Sequence, residues 1–124
     1  MKRPPATVVV FLLALGLYAA TTHRRVFIAG NDASRWAAIE SLVDYGTASI
    51  ERSRFAANVD RIRIGEREYS NKPPVLSLAG AAIYAVLQTT FGWSLAGAGA
   101  ANVLYWVTLL LVGVPSAWLV ARFF

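Results

Sequence analysis

Apolar residues fall into three long stretches, separated by one long polar segment and one short connection. The stretches cover residues 6–22, 75–93 and 101–121, and none of them contains Asp, Glu, Lys or Arg. A helix needs about 20 apolar residues to cross a hydrocarbon layer roughly 30 Å thick. The pattern therefore predicts an all-α membrane protein with three transmembrane helices, the first within residues 1–22, and a polar loop over residues 23–74.

The flanks of the apolar stretches refine this prediction. Lys2 and Arg3 before the first stretch also fit a signal peptide, but two further apolar stretches favour an uncleaved helix. The connection over residues 94–100 contains only Ser, Leu, Ala and Gly. Because small side chains let helices approach closely, it predicts a tightly packed antiparallel pair, with a flexible loop as the alternative. Pro115 in the last stretch predicts a kink.

The first half of the polar loop carries the pattern of an amphipathic helix. Residues 32–45 place Trp36 and other apolar residues at helical spacing. Asn31 or Asp32 suits the N-cap, and Gly46 suits the end of the helix. We expect such a helix, close to a membrane span, to lie flat at the interface with Trp36 inserted into the bilayer.

The second half of the loop predicts a short β-hairpin over about residues 59–69. Residues 59–64 alternate between apolar and polar side chains, and Gly65-Glu66 is typical of a turn. The element Lys72-Pro73-Pro74 follows, and its prolines keep the chain extended until the second apolar stretch begins.

Composition narrows the classes of function. The chain has 124 residues, 56% of them hydrophobic, with no cysteine and one histidine, His23. These numbers exclude a disordered chain, a disulfide scaffold and a transition-metal site built from the usual ligands. The net charge is +5, but the basic residues of the loop are interleaved with all seven acidic ones, so nucleic-acid binding is not expected. The partner that the composition indicates is a lipid bilayer.

The charges alone give only a weak indication of orientation. Nine of the twelve Lys and Arg residues lie within residues 23–74, against Lys2 and Arg3 at the N-terminus. The positive-inside rule would hold such a loop in the cytoplasm. The loop has about 50 residues, however, close to the length of roughly 60 at which the rule loses force.

Asp32, Lys72 and the arginines of the loop are the candidate functional residues, and each has a structural alternative. Asp32 is either a helix cap or an acceptor for the proton of a substrate hydroxyl. Lys72 either snorkels at a helix end or holds a phosphate as a point charge. The arginines form either a solvated or headgroup-binding face or part of a site.

Two of these elements occur in a recognisable order. An acidic residue opens a helix in Gly30-Asn31-Asp32-Ala33-Ser34-Arg35-Trp36, and Tyr69-Ser70-Asn71-Lys72-Pro73-Pro74 runs straight into a membrane helix. With the preceding apolar stretch, this order resembles the N-terminal part of the polytopic GT-C glycosyltransferases. That group includes dolichyl-phosphate-mannose protein mannosyltransferases and bacterial aminoarabinose transferases of lipid A. The resemblance covers roughly residues 5–93.

The resemblance implies a membrane glycosyltransferase that moves a sugar from a polyprenyl-phosphate donor to an acceptor. Asp32 would be the general base that activates the acceptor. Lys72 would lie near the donor phosphate, and Arg35 and Tyr69 would be further substrate-binding residues. A lipid phosphate is already a good leaving group, so a base and cations suffice for this chemistry.

Other features of the resemblance leave alternatives open. The Arg52 and Arg54 pair is a second source of phosphate contacts. Many members carry another acidic residue beside the first, whereas here the neighbour of Asp32 is Asn31. Participation of a divalent cation is therefore an open question, and the sequence offers no complete metal site.

The resemblance also bears on topology and size. It implies an integral protein of a bacterial inner membrane, with the N-terminus in the cytoplasm and residues 23–74 in the periplasm, against the charge rule. We expect the chain to be the N-terminal piece of a longer enzyme, completed by further transmembrane helices and inactive alone. The alternatives are a small non-enzymatic membrane subunit that packs against a larger partner, or a module that binds anionic lipid.

Overall fold

The computed structural model describes residues 5–25, 30–57 and 59–123. This part of the chain is mostly helical and contains one small antiparallel sheet. Its elements are α1 (Ala6–Thr21), α2 (Gly30–Asp44), β1 (Arg61–Ile64), β2 (Arg67–Ser70), α3 (Pro74–Phe91) and α4 (Ala100–Arg122).

The helices pack in a chain of neighbours. The second half of α4 lies against α1, its first half lies against α3, and α3 lies against α2, which also contacts β2. The main hydrophobic core forms where α2, α3 and α4 meet. Its buried side chains are Trp36, Ile39, Ala81, Tyr84, Leu87, Leu95, Val103, Leu104 and Val107.

Helix α2 is an internal helix, and the prediction that Trp36 inserts into the bilayer is wrong. Only 6% of Trp36 is exposed, and its ring belongs to the protein core. Ala33 and Ala37 are buried on another face, against Ile50 and Val59. Because most side chains of α2 are small, neighbours can cover several of its faces at once. In the described helix Asp32 lies in the first turn.

Helices α3 and α4 have the length and composition of membrane spans. They contain 18 and 23 residues, and their apolar windows are only 28% and 33% buried within the protein. Large apolar side chains such as Val75, Val86, Trp106 and Trp118 are exposed on them. A large exposed apolar surface of this kind supports association with a membrane.

Helix α1 falls short of a span, so the prediction of three spans is not supported. Its 16 residues would extend for about 24 Å, less than the roughly 30 Å of a hydrocarbon layer. The helix is apolar and none of its residues is buried. Lys2 and Arg3, which entered the orientation argument, lie outside the described residues.

The predicted kink in α4 takes the form of a wide turn before Pro115. Leu109–Gly113 forms a π-helical segment, and Pro115 stands at the start of the regular helix that follows. Proline has no N–H to donate to the preceding turn, and a π-bulge accommodates this loss. A Cβ atom on Gly113 would lie 3.4 Å from the Cβ of Tyr18, so this glycine permits the close approach of α1.

The predicted hairpin is confirmed as a two-stranded antiparallel sheet. Arg61 pairs with Ser70 and Ile64 with Arg67, around a turn with Gly65 at φ +63°. The hydroxyl of Ser34 on α2 lies 2.8 Å from the hydroxyl of Ser70 and donates to a backbone carbonyl at the same distance. These bonds fasten the hairpin to α2.

A polar cluster joins α2 to α3 and to the connection before α4. The hydroxyl of Tyr84 donates to the carboxylate of Asp44 at 2.9 Å, and the amide of Gln88 donates to the same carboxylate at 2.8 Å. The backbone N–H of Leu95 donates to the Tyr84 hydroxyl at 3.0 Å. Since Tyr84 is fully buried, these bonds satisfy polar groups that water cannot reach.

The close packing of α3 depends on a glycine inside the helix. A Cβ atom on Gly80 would lie 2.6 Å from Ile39 Cδ1 and 3.5 Å from Val107 Cγ1. The small residues of the connection instead make a tight turn, in which Gly99 has a φ of +85°. The close contact was predicted, but the responsible residue lies in the helix.

Replacing Gly99 by alanine should lower the free energy of unfolding by about 2 kcal/mol, from a strained positive φ and from steric overlap. The new Cβ would lie 2.5 Å from the Trp93 ring and 2.8 Å from its Cβ. Thermal unfolding in a mild detergent measures the change. Gly97→Ala is the matched control, because its Cβ would make an ordinary contact at 3.5 Å. Equal melting temperatures for the two variants would contradict this account.

Candidate functional site

Asp32 lies half-buried between α2 and α4, where two cavities meet. Both cavities are lined by Asp32, Trp36 and Thr108, and their volumes are about 220 and 140 Å³. Thr22 and His23, just after α1, complete the larger cavity. A carboxylate in the first turn of a helix is favoured by the partial positive charge of the helix N-terminus.

Arg35 shares the smaller cavity with Asp32. The two residues are three apart on α2, so their side chains lie on the same face of the helix. The Nε of Arg35 is buried and makes no hydrogen bond with the part of the chain that is described. The structure thus brings together two of the four predicted site residues.

Lys72 and Tyr69 lie in a different cavity. This space of about 260 Å³ lies between the hairpin, α2 and the start of α3, and Ser77 also lines it. Its lining has no residue in common with the two Asp32 cavities. The Lys72 ammonium donates to Asp60 at 3.1 Å, and 15% of the lysine side chain is exposed. A role for Lys72 and Tyr69 in substrate binding stays a prediction.

A third cavity, of about 580 Å³, is lined by three arginines. Arg24 and Arg25 follow α1, and Arg54 comes from the loop between α2 and β1. We call this space the arginine cavity. Its remaining lining is apolar: Ala33, Phe55, Ala57, Leu95, Ala100, Ala101 and Leu104. Arg25 and Leu104 also line the larger Asp32 cavity, so the two spaces adjoin.

Arg54 is held in place by a buried carboxylate. Glu40 is fully buried, and its side chain accepts from the Nε of Arg54 at 2.9 Å, from the backbone N–H of Arg54 at 2.9 Å and from the Ser53 hydroxyl at 2.6 Å. The guanidinium also donates to the carbonyl of Leu95. About two-fifths of the Arg54 side chain remains exposed (41%), so it is accessible from the cavity.

Arg24 is held on α4. Its Nη1 donates to Asn102 Oδ1 at 3.0 Å, and its guanidinium carbon lies 4.5 Å from the centre of the Tyr105 ring. By contrast, Arg52 stacks on Tyr45 at 4.5 Å and does not line the arginine cavity. The sequence suggested Arg54 but not Arg24 or Arg25. The only signal for these two was their position directly after the first apolar stretch.

The described residues bring together no group of three or more His, Asp or Glu side chains that would hold a metal ion. Comparison of the chain with protein-family models, with curated proteins and with solved structures gives no match. The resemblance to the GT-C enzymes therefore rests on the elements around Asp32 and Lys72 alone, and any activity has to be argued from the geometry of the cavities.

Proposed function

We propose that the chain supplies the general base and part of the donor site of a membrane glycosyltransferase that uses a polyprenyl-phosphate sugar. One observation carries the proposal. The half-buried carboxylate of Asp32 lines a cavity that adjoins a larger one with three arginines. Transfer from a lipid phosphate needs a base for the acceptor and cations for the departing phosphate, side by side.

The chemistry follows from this pairing of charges. Asp32 takes the proton from an acceptor hydroxyl, and the acceptor oxygen forms a bond to the anomeric carbon of the sugar. The bond from that carbon to the phosphate oxygen breaks, and the lipid phosphate leaves with the electron pair. Attack from the side opposite the phosphate inverts the anomeric carbon. Arg35, in the same cavity as Asp32, is available to orient the acceptor.

The proposal includes a membrane arrangement. Helices α1, α3 and α4 span a bacterial inner membrane, with the N-terminus in the cytoplasm and residues 23–74 in the periplasm. Supporting it, α1 is apolar throughout and packs against α4. Thr22 and His23 after α1 line the Asp32 cavity, so the carboxylate lies near the membrane surface in this arrangement.

A transfer assay in membranes tests the proposal. Membranes that contain the native protein are given a panel of polyprenyl-phosphate sugars, and the release of polyprenyl phosphate is followed by mass spectrometry of the lipid extract. We expect release that depends on the protein and on an added acceptor extract. Release from no donor, at a protein level confirmed by immunoblot, would contradict the proposal. Retained lipid binding without release would leave the anionic-lipid module as the function.

A further inference from the structure

We infer that the arginine cavity is a binding site for a phosphate monoester that carries an apolar chain. The cavity is distinct from the predicted Lys72 position. The inference rests on the proposed function only in naming this phosphate as the leaving group of transfer. The binding itself is argued from the lining residues and is tested without any turnover.

The charge of the lining selects an anion. Arg24, Arg25 and Arg54 contribute three guanidinium groups, and the described residues that line the cavity include no carboxylate. Planar guanidinium groups bind phosphate oxygens through paired hydrogen bonds. Glu40 compensates part of the Arg54 charge from behind, which leaves Arg24 and Arg25 to supply most of the attraction.

The arginines are positioned before a ligand arrives. Arg54 is fixed by Glu40 and by the Leu95 carbonyl, and Arg24 by Asn102 and the Tyr105 ring. Side chains that are already ordered lose less conformational entropy on binding. This preorganisation distinguishes the cavity from a solvated surface of mobile arginines.

The rest of the lining selects an apolar chain. Phe55, Leu95 and Leu104 face the same space as the arginines, together with four alanines. A volume of about 580 Å³ falls in the range of small-molecule sites, roughly 300–1,000 Å³. Inorganic phosphate would leave the apolar part of this space without a partner. The fitting ligand therefore combines both chemistries, as a single-chain lipid phosphate does.

The adjoining cavities favour this position over Lys72. Arg25 and Leu104 line both the arginine cavity and the larger Asp32 cavity, so a phosphate here is next to the space of the proposed base. Lys72 faces a separate cavity and its ammonium already pairs with Asp60. A phosphate bound there would compete with that carboxylate.

Binding of dodecyl phosphate to the full 124-residue chain in phosphatidylcholine nanodiscs tests the inference, with titration calorimetry as the measurement. Arg25→Gln should weaken binding about tenfold, as expected for a lost hydrogen bond between charged groups. Arg24→Gln should act in the same direction. Dodecanol and inorganic phosphate should each bind more weakly than dodecyl phosphate, since each offers one half of the required chemistry.

Two control variants make the outcome decisive. Arg63→Gln removes the same charge from the exposed β1 strand and should leave the affinity unchanged, as should Lys72→Ala. An equal loss for Arg63→Gln would mean that the total charge of the loop attracts the anion, and would overturn the inference. A loss for Lys72→Ala alone would overturn it in favour of the other cavity. Equal affinity for inorganic phosphate would overturn the role of the apolar lining.

Discussion

Replacing Glu40 by alanine should lower the free energy of unfolding by about 3 kcal/mol, because a buried charged acceptor with several partners is removed. The change takes away the acceptor of three hydrogen bonds from Ser53 and Arg54. The Ser53 hydroxyl is then left in a buried position without this acceptor. Chemical unfolding in a mild detergent, followed by tryptophan fluorescence, measures the difference.

Glu66→Ala is the matched control for this prediction. Glu66 lies in the exposed turn of the hairpin, and substitutions at such positions change stability by less than about 0.5 kcal/mol. Amide hydrogen exchange adds a local measurement, because the Arg54 N–H loses its acceptor only in Glu40→Ala. Similar stabilities for the two variants would show that the carboxylate of Glu40 does not hold the loop against α2.

The hairpin could be predicted because its signal is local. Alternation along residues 59–64 and a glycine suited to a positive φ at position 65 belong to one short segment, and the observed register has Gly65 in the turn. The two apolar helices α3 and α4 were predictable for the same reason. Their length and lack of charge follow from the composition of consecutive residues.

The burial of α2 could not be predicted, since it depends on distant partners. The sequence shows that Trp36 is apolar and at helical spacing, but a membrane surface and the sides of α3 and α4 are equally suitable environments for it. The outcome is decided by Gly80, which lets Ile39 of α2 come close to α3. A single glycine in an apolar helix gives no sign of which neighbour it will admit.

The candidate site shows the same division between local and distant information. Asp32 and Arg35 share a cavity because residues three apart lie on one helix face. The separation of Lys72 from Asp32 arises from the way the hairpin packs on α2 through Ser34 and Ser70, about which the spacing along the chain says nothing. The arginine cavity is likewise formed by segments that are distant in sequence.

Replacing Asp32 by asparagine should reduce sugar transfer by about 10²- to 10⁴-fold, the usual contribution of a general base. Asparagine keeps the size of the side chain but cannot accept the proton of the acceptor. Binding of a lipid phosphate should remain, because Asp32 does not line the arginine cavity. The measurement is the rate of polyprenyl phosphate release in membranes, beside the affinity for dodecyl phosphate in nanodiscs.

The pair of readouts separates a catalytic role from a structural one. If Asp32 only stabilised the first turn of α2, its replacement would lower the stability of the chain by about 0.5–2 kcal/mol and would affect binding and transfer together. Glu66→Gln removes a carboxylate from the exposed hairpin turn and should leave both rates and affinities unchanged. Transfer by Asp32→Asn at the wild-type rate would remove this carboxylate from the mechanism, whereas lost transfer with intact lipid binding is the result that the geometry of the two adjoining cavities predicts.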